Sequence, residues 1–401
     1  MSKRRIFVPE LMVLSATFFF IFLGPGAVQQ HLDKVLGDKR FYVLATVYLS
    51  FCFWRVFIGI TIQWLGDFLS ELLGAATYVL FAATMLFSTS WPVVLVAACV
   101  WGWGAASFWI TSQSKVLDAT RRYGASSGLL YAFTVGGQAL GVGLLALIAA
   151  RWQPTGGWTL TEVLLGTCVV LGVPGLVLIC LVPRRKVERT PFSLRAFWAI
   201  ASQKPIVLVG IIQLLSALSY GVLLGILSEI AKATAGGQWP TVPFYVARLV
   251  LVFPAGALAD RIGKERVLKF SFLLAAAGLL VAVMWRSSPG LSLGICAAAM
   301  ATQSVLAASN SMALMGDIAK SENRHMALGA VFFWRDLGVV IPLFIAGALK
   351  GRLARMGDAT AVADVFYTSL FGFAAVLVAS AFICDALRRS IEAHRSQASE
   401  G

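Results

Sequence analysis

Twelve stretches of about twenty mostly apolar residues follow one another along this chain of 401 residues. They start near Phe7, Phe41, Leu69, Trp91, Ala125, Leu160, Pro205, Thr241, Val267, Leu291, Ala327 and Asp364. A hydrocarbon core about 30 Å thick needs roughly twenty residues of helix at 1.5 Å rise each, so each stretch is a predicted membrane-spanning helix. A composition of 59% hydrophobic and 13% charged residues, with a mean hydropathy of +0.82, excludes a soluble globule of this length. The period-two alternation of an outer-membrane barrel is absent. The expected fold class is an all-α integral membrane protein with twelve transmembrane helices.

Lys3, Arg4 and Arg5 precede the first stretch in the manner of a secretory signal. The apolar run from Leu11 to Val28 is longer than a signal core, lacks a small-residue cleavage site and has eleven spans behind it, so it is read as a retained first helix. Lysine and arginine concentrate in the loops on the side of the N-terminus. By the positive-inside rule both termini are expected in the cytoplasm, most simply at a bacterial cytoplasmic membrane. The net charge of +14 is then an insertion signal and a contact with lipid headgroups. A nucleic-acid partner is not expected, because no basic stripe interleaves with aromatic residues. Cys52, Cys99, Cys168, Cys180, Cys296 and Cys384 all fall inside predicted spans without CxxC or metal-ligand spacing, as apolar fillers do. His31, His325 and His394 stand at span edges or in the tail, and no acid pair or nucleophile elbow is visible. No enzyme, cofactor or metal is expected.

The chain divides into a first six-helix bundle (1–183), a basic cytoplasmic linker (184–204) with a short interfacial helix expected over Phe192 to Ser202, and a second bundle with a short tail (205–401). The halves repeat one another weakly. Arg55 lies twelve residues before Asp67, and Arg248 twelve before Asp260; Ala105-Ala106-Ser107 matches Ala307-Ala308-Ser309, Asp118 matches Asp317, and Leu140-Gly141 matches Leu337-Gly338. Repeated halves of this kind build transporters whose substrate site lies at their interface near the membrane midplane.

The segment GALADRIGKER, from Gly256 to Arg266, resembles the signature loop of the major facilitator superfamily, Gly-x-x-x-Asp-Arg-x-Gly-Lys/Arg. Its counterpart QWLGDFLSELLG keeps Gly66 and Asp67 but has Phe68 where the family has arginine. The resemblance implies the two-bundle fold of that family, rocking about a central cavity that opens to either side in turn. It also implies a cytoplasmic gate built from Asp67, Asp118, Gly256, Asp260, Arg261, Gly263 and Asp317, in which Arg121 and Arg122 are further partners for Asp67 and Asp118. The helix 4 arginine of proton-driven members would fall near Ala98, and the Gly-Pro pattern of drug antiporters is missing from YAFTVGGQALGVG. Proton antiport of drugs is therefore disfavoured. The segments GPGAVQQHL and WITSQSKVLDA resemble a divergent branch of the same family.

Depth separates the arginines from the gate. Twelve residues of helix place Arg55 and Arg248 roughly 18 Å from their aspartates, near the midplane, and Arg335 is expected at similar depth. Intramembrane arginines cost about 2.5 to 3.5 kcal/mol each on insertion scales and need partners, yet the sequence offers Asp336 as the acid at that depth. Arg55, Arg248 and Arg335 are therefore candidate ligands of an anionic solute, which guanidinium groups bind in paired hydrogen bonds. Tyr48 and Tyr245, on the same helix faces, and Gln138 and Asn310 complete the candidate substrate site, with Trp109 and Trp334 as possible cavity walls. Asp336 is the candidate for proton coupling; its expected partner is Arg55 or Arg248, since adjacent residues on a helix do not face each other. The expected function is secondary active transport of a small anion by a monomer in the bilayer, with a proton or counter-anion as coupling partner. A neutral or amphipathic solute, or a sensor that no longer transports, is the alternative.

Overall fold

The computed structural model describes residues 8–153, 157–183, 189–235, 239–356 and 359–400. Lys3 to Arg5 and residues 184–188 of the linker lie outside them, as does the side chain of His394. The described residues are almost entirely helical and contain no strand.

Among the described residues, eleven helical segments are long and apolar enough to cross a membrane. One of them, Arg40–Phe87, is two helices joined at Gly66, whose φ of 72° a residue with a side chain rarely adopts. The twelve spans are α1 (Pro9–Leu23), α2 (residues 40–65), α3 (residues 67–87), α4 (Trp91–Ala119), α5 (Tyr123–Arg151), α6 (Leu160–Leu181), α7 (Lys204–Val222), α8 (Val242–Ile262), α9 (Lys264–Met284), α10 (Pro289–Ile318), α11 (Arg324–Met356) and α12 (Ala359–Glu400). The expected short helix of the linker runs over Leu194–Ala201, with the Ser193 hydroxyl accepting from the Ala196 N–H. α1, α4, α7, α8 and α10 each carry proline in the first turn, where a missing N–H costs nothing. Gly263, at φ 101°, ends α8 and lets α9 begin at once. Past Val222, α7 continues through a π-turn at Leu223–Leu227.

α1–α6 and α7–α12 meet through α2 against α11, α5 against α8, and α5 against α10. Small residues set the closeness of these contacts. A Cβ on Gly256 of α8 would stand 2.4 Å from the Gly124 carbonyl oxygen of α5, and one on Gly329 of α11 would stand 2.5 Å from the carbonyl oxygen of Arg55. α11 therefore lies directly on the backbone of α2 where Arg55 sits. The outer faces are apolar, with Phe53, Val170, Phe270 and Phe382 among the exposed side chains. Cys52, Cys168, Cys296 and Cys384 are buried, whereas Cys99 and Cys180 are exposed. The protein is a multi-pass membrane protein.

Candidate functional site

A cavity of about 100 Å³ lies between the two halves. Stripes at helical spacing line it. α4 contributes Trp101, Ala105 and Trp109, α5 Tyr131, Thr134 and Gln138, and α7 Gln213, Ser216, Ala217 and Tyr220. α2 adds Val47, Tyr48 and Phe51, while Arg248 of α8 and Arg335 of α11 supply the charge.

The three arginines have different surroundings. Arg55 is fully buried and does not line the cavity. Its Nε donates to Asp336 Oδ2 at 3.0 Å across the interface between the halves, and its guanidinium lies 4.1 Å from the Phe51 ring centre, with both Nη atoms lacking a hydrogen-bond partner. Arg335 donates from Nε and Nη2 to Asp336 Oδ1, at 2.9 and 2.6 Å. The expectation that Asp336 would not pair with its chain neighbour is thus corrected: the arginine side chain is long enough to fold back onto the adjacent carboxylate. Asp336, itself fully buried, has both oxygens engaged. Arg248 has no carboxylate within ion-pair distance among the described residues. It donates from Nη1 to the Gln138 Oε1 amide oxygen at 3.3 Å, Gln138 Nε2 donates to the Tyr220 hydroxyl at 3.2 Å, and Arg248 Nε is buried without a partner. The rings of Phe244 and Tyr220 lie 5.0 and 5.4 Å from its guanidinium carbon.

Of the other candidates, Tyr48 lines the cavity and donates to Gln29 Oε1 at 3.3 Å. Tyr245 is buried near Arg248 with its hydroxyl unpartnered. Asn310 is buried away from the cavity lining; its Nδ2 donates to the Leu306 carbonyl, and its Oδ1 has no partner. Trp109 lines the cavity, whereas Trp334 packs on Gly210 of α7. The aromatic residues Phe22, Tyr78 and Trp101 were not singled out from the sequence, although the eight-residue step from Trp101 to Trp109 marks one helix face.

The end of the molecule that holds Asp67 and Asp260 is shut by contacts across the halves. The Asp260 carboxylate accepts the Gly124 and Ala125 N–H groups at 2.8 and 2.9 Å, capping the N-terminus of α5. Asp118 accepts from Ser321 at 2.5 Å and pairs with Arg324 at the start of α11; Arg324 also donates to the Tyr123 hydroxyl. Lys264 bridges Asp317 at 2.8 Å and Asp260 at 3.6 Å. Arg261, expected to be the latch cation, is exposed and makes no ion pair among the described residues; Lys264, one turn past Asp260, occupies that place. Asp67 is held by Arg189 of the linker in a two-pronged pair at 3.0 and 3.2 Å. Arg121 and Arg122 are exposed and hold neither aspartate. At the opposite end, Arg40 of α2 and Glu229, past α7, join the halves at 2.5 Å. A further buried pair, Lys115 with Glu71, sits inside the first half with Ser112 donating to the same carboxylate.

Two six-helix halves enclosing a charged, buried cavity, with latches at both ends, have the architecture of a membrane transporter. The sequence pattern described as Major Facilitator Superfamily matches residues 209–401. The crystal structure of the E. coli fucose:proton symporter FucP superposes with a TM-score of 0.71 at 15% identity, covering 96% of this chain and 99% of that one. That of the human organic anion transporter MFSD10 (TETRAN) gives 0.71 at 16% identity over 94% and 100% of the two chains. An Arabidopsis thaliana UNC93-like protein 3 is 26% identical over 125 residues, 31% of this chain and 27% of that protein, so the match spans about a quarter of that relative's length. The chain thus has the fold of these transporters along nearly its whole length, and the sequence of its second half matches the major facilitator superfamily.

Proposed function

We propose that the chain moves a small anion across the membrane by alternating access, and that Arg248 is the group that holds it. The observation that carries this reading is the unpaired cation. Asp336 neutralises one charge shared between Arg55 and Arg335, whereas Arg248 faces the cavity with a neutral amide as its hydrogen-bond acceptor. A buried guanidinium stays charged, and an anion in the cavity supplies both the missing charge and the missing acceptor for Nε. Arg335 lines the same cavity and assists. Arg55 acts as a positioning residue, fixing Asp336 and hence Arg335.

Tyr48, Gln138 and Tyr245 surround the anion, and Asn310 supports α10 from behind. With both Asp336 oxygens bound by guanidinium groups, proton coupling at that residue requires one of those pairs to open during the cycle. The Asp260 end is the cytoplasmic gate, both termini are cytoplasmic, and the linker lies on the same side. Asp67, Asp118, Gly256, Asp260, Gly263 and Asp317 hold this gate shut with Lys264 and Arg324; the Arg40–Glu229 pair closes the outer side. The protein works as a monomer, since each chain encloses a complete cavity.

The aromatic lining and the amides of Gln29, Gln138 and Gln213 favour a second reading, a neutral polar solute. Uptake of labelled anions and neutral analogues into proteoliposomes separates the two. Flux of anions that falls at least tenfold in Arg248→Gln supports the first; flux of neutral solutes alone removes it.

A further inference from the structure

The two walls of the cavity differ in chemistry. The first half presents Phe22, Phe51, Tyr78, Trp101, Trp109 and Tyr131 and no charged side chain, whereas both cavity arginines come from the second half. We propose that the solute is a short aliphatic monocarboxylate, its head on Arg248 and its body against the aromatic wall. This rests on the anion reading and deepens it.

Three features of the cavity select that class. First, a dianion or a compact inorganic anion would set a charged face against aromatic rings, whose faces are electron-rich. Second, Arg248 is the less engaged of the two cavity cations. Two of the Arg335 nitrogens are already engaged by Asp336, while Arg248 offers a buried Nε without a partner and an Nη1 bound only to an amide oxygen. The Gln138 oxygen therefore occupies the place that one carboxylate oxygen takes. A charge-assisted bond is roughly twice as strong as the neutral one it displaces. Third, the space is small: about 100 Å³, against the roughly 150 Å³ of an apolar cavity that admits benzene. The body of the solute is accordingly smaller than a phenyl ring.

The test is the concentration dependence of thermal stabilisation of the purified full chain by acetate, propionate, butyrate, hexanoate, benzoate, malonate, nitrate, phosphate and butyramide. Apparent affinity should rise about fourfold for each methylene from acetate to butyrate, the value of ~0.8 kcal/mol per buried CH₂, and fall for hexanoate and benzoate. Malonate, nitrate, phosphate and butyramide should each bind at least thirtyfold more weakly than butyrate. Gln138→Glu, which sets a carboxylate against Arg248 in advance, should remove stabilisation by butyrate at unchanged or raised melting temperature. Tighter binding of malonate, nitrate or phosphate would overturn the monocarboxylate assignment and leave the anion reading standing. Butyramide equal to butyrate, or no response to any anion, would overturn both. Wild-type butyrate binding by Gln138→Glu would overturn the assigned place of the carboxylate.

Discussion

Arg55 and Arg248 stand at matched distances from matched aspartates, yet one is fully buried in an ion-paired cluster and the other faces the cavity with no carboxylate in ion-pair reach among the described residues. The helix breaks explain the difference. In the first half the chain breaks at Gly66, just before Asp67; in the second it breaks at Gly263, three residues after Asp260. Measured from the break, Arg55 is eleven residues into its helix and Arg248 fifteen, so Arg248 stands one turn, about 6 Å, further along. The same stagger changes the aspartates. Asp260 ends up in the last turn of α8, where it reaches across to cap α5, whereas Asp67 opens α3 and is taken by Arg189 of the linker. Residues that match in sequence have thus acquired different work.

The largest expected effect lies in the paired cluster. Asp336→Asn leaves two buried guanidiniums with no carboxylate, and losing one member of a buried pair costs about 3–5 kcal/mol. The variant should express poorly or melt far below the parent, as read by thermal denaturation in detergent. If Asp336→Asn melts like the parent, Asp336 is not what neutralises Arg55 and Arg335.

The two gates differ next. A Cβ at Gly256 meets the Gly124 carbonyl oxygen at 2.4 Å, so Gly256→Ala should hold α5 and α8 apart. A cysteine at Ser127, introduced in a background without the native cysteines, should then label several-fold faster, with transport falling at least tenfold. Asp260→Ala orphans two N–H groups and should cost the closed state about 1–3 kcal/mol, read by the same labelling. Asp67→Ala breaks a partly exposed pair and should cost less, near the ~1 kcal/mol upper end for exposed ion pairs. Equal effects of the two would mean that the stagger has no consequence for gating. Changing Arg261 to Gln should leave labelling unchanged, because Lys264 carries the latch.

The smallest effect concerns the end far from the gate. His31 Nε2 donates to the Val142 carbonyl at 3.1 Å, and burial lowers the His31 pKa. The unfolded chain then binds more protons than the folded one, so the stability from this histidine is present above about pH 6.5 and is lost as pH falls toward the lowered folded value. A melting temperature measured at pH 7.5 and pH 5 should drop in the parent, and His31→Gln should make that drop smaller.

The spans were legible in the sequence because lipid admits little besides a helix of about twenty apolar residues. Their starts fall within about three residues of those expected, except the last, and helix-breaking glycines and first-turn prolines carry that signal. The interface was less legible. Ser321, Arg324 and Arg189 lie in loops or at helix starts, where nothing in the spacing distinguishes a latch from a solvated charge. Arg335 and Asp336 showed the charges but not the pairing, since adjacency along a helix hid the reach of the side chain. Counting from Asp67, and not from the glycine that turns the chain, places Arg55 at cavity depth, whereas it stands outside the lining.

In the proposed mechanism Arg248, and not Arg55, receives the anion. Binding of butyrate to Arg248→Gln and to Arg55→Gln, each measured by titration against the parent, tests it directly. Arg248→Gln should keep its melting temperature and lose at least a hundredfold in affinity, while Arg55→Gln should melt lower and bind within about threefold of the parent. Equal loss in both, or loss in Arg55→Gln alone, would contradict it.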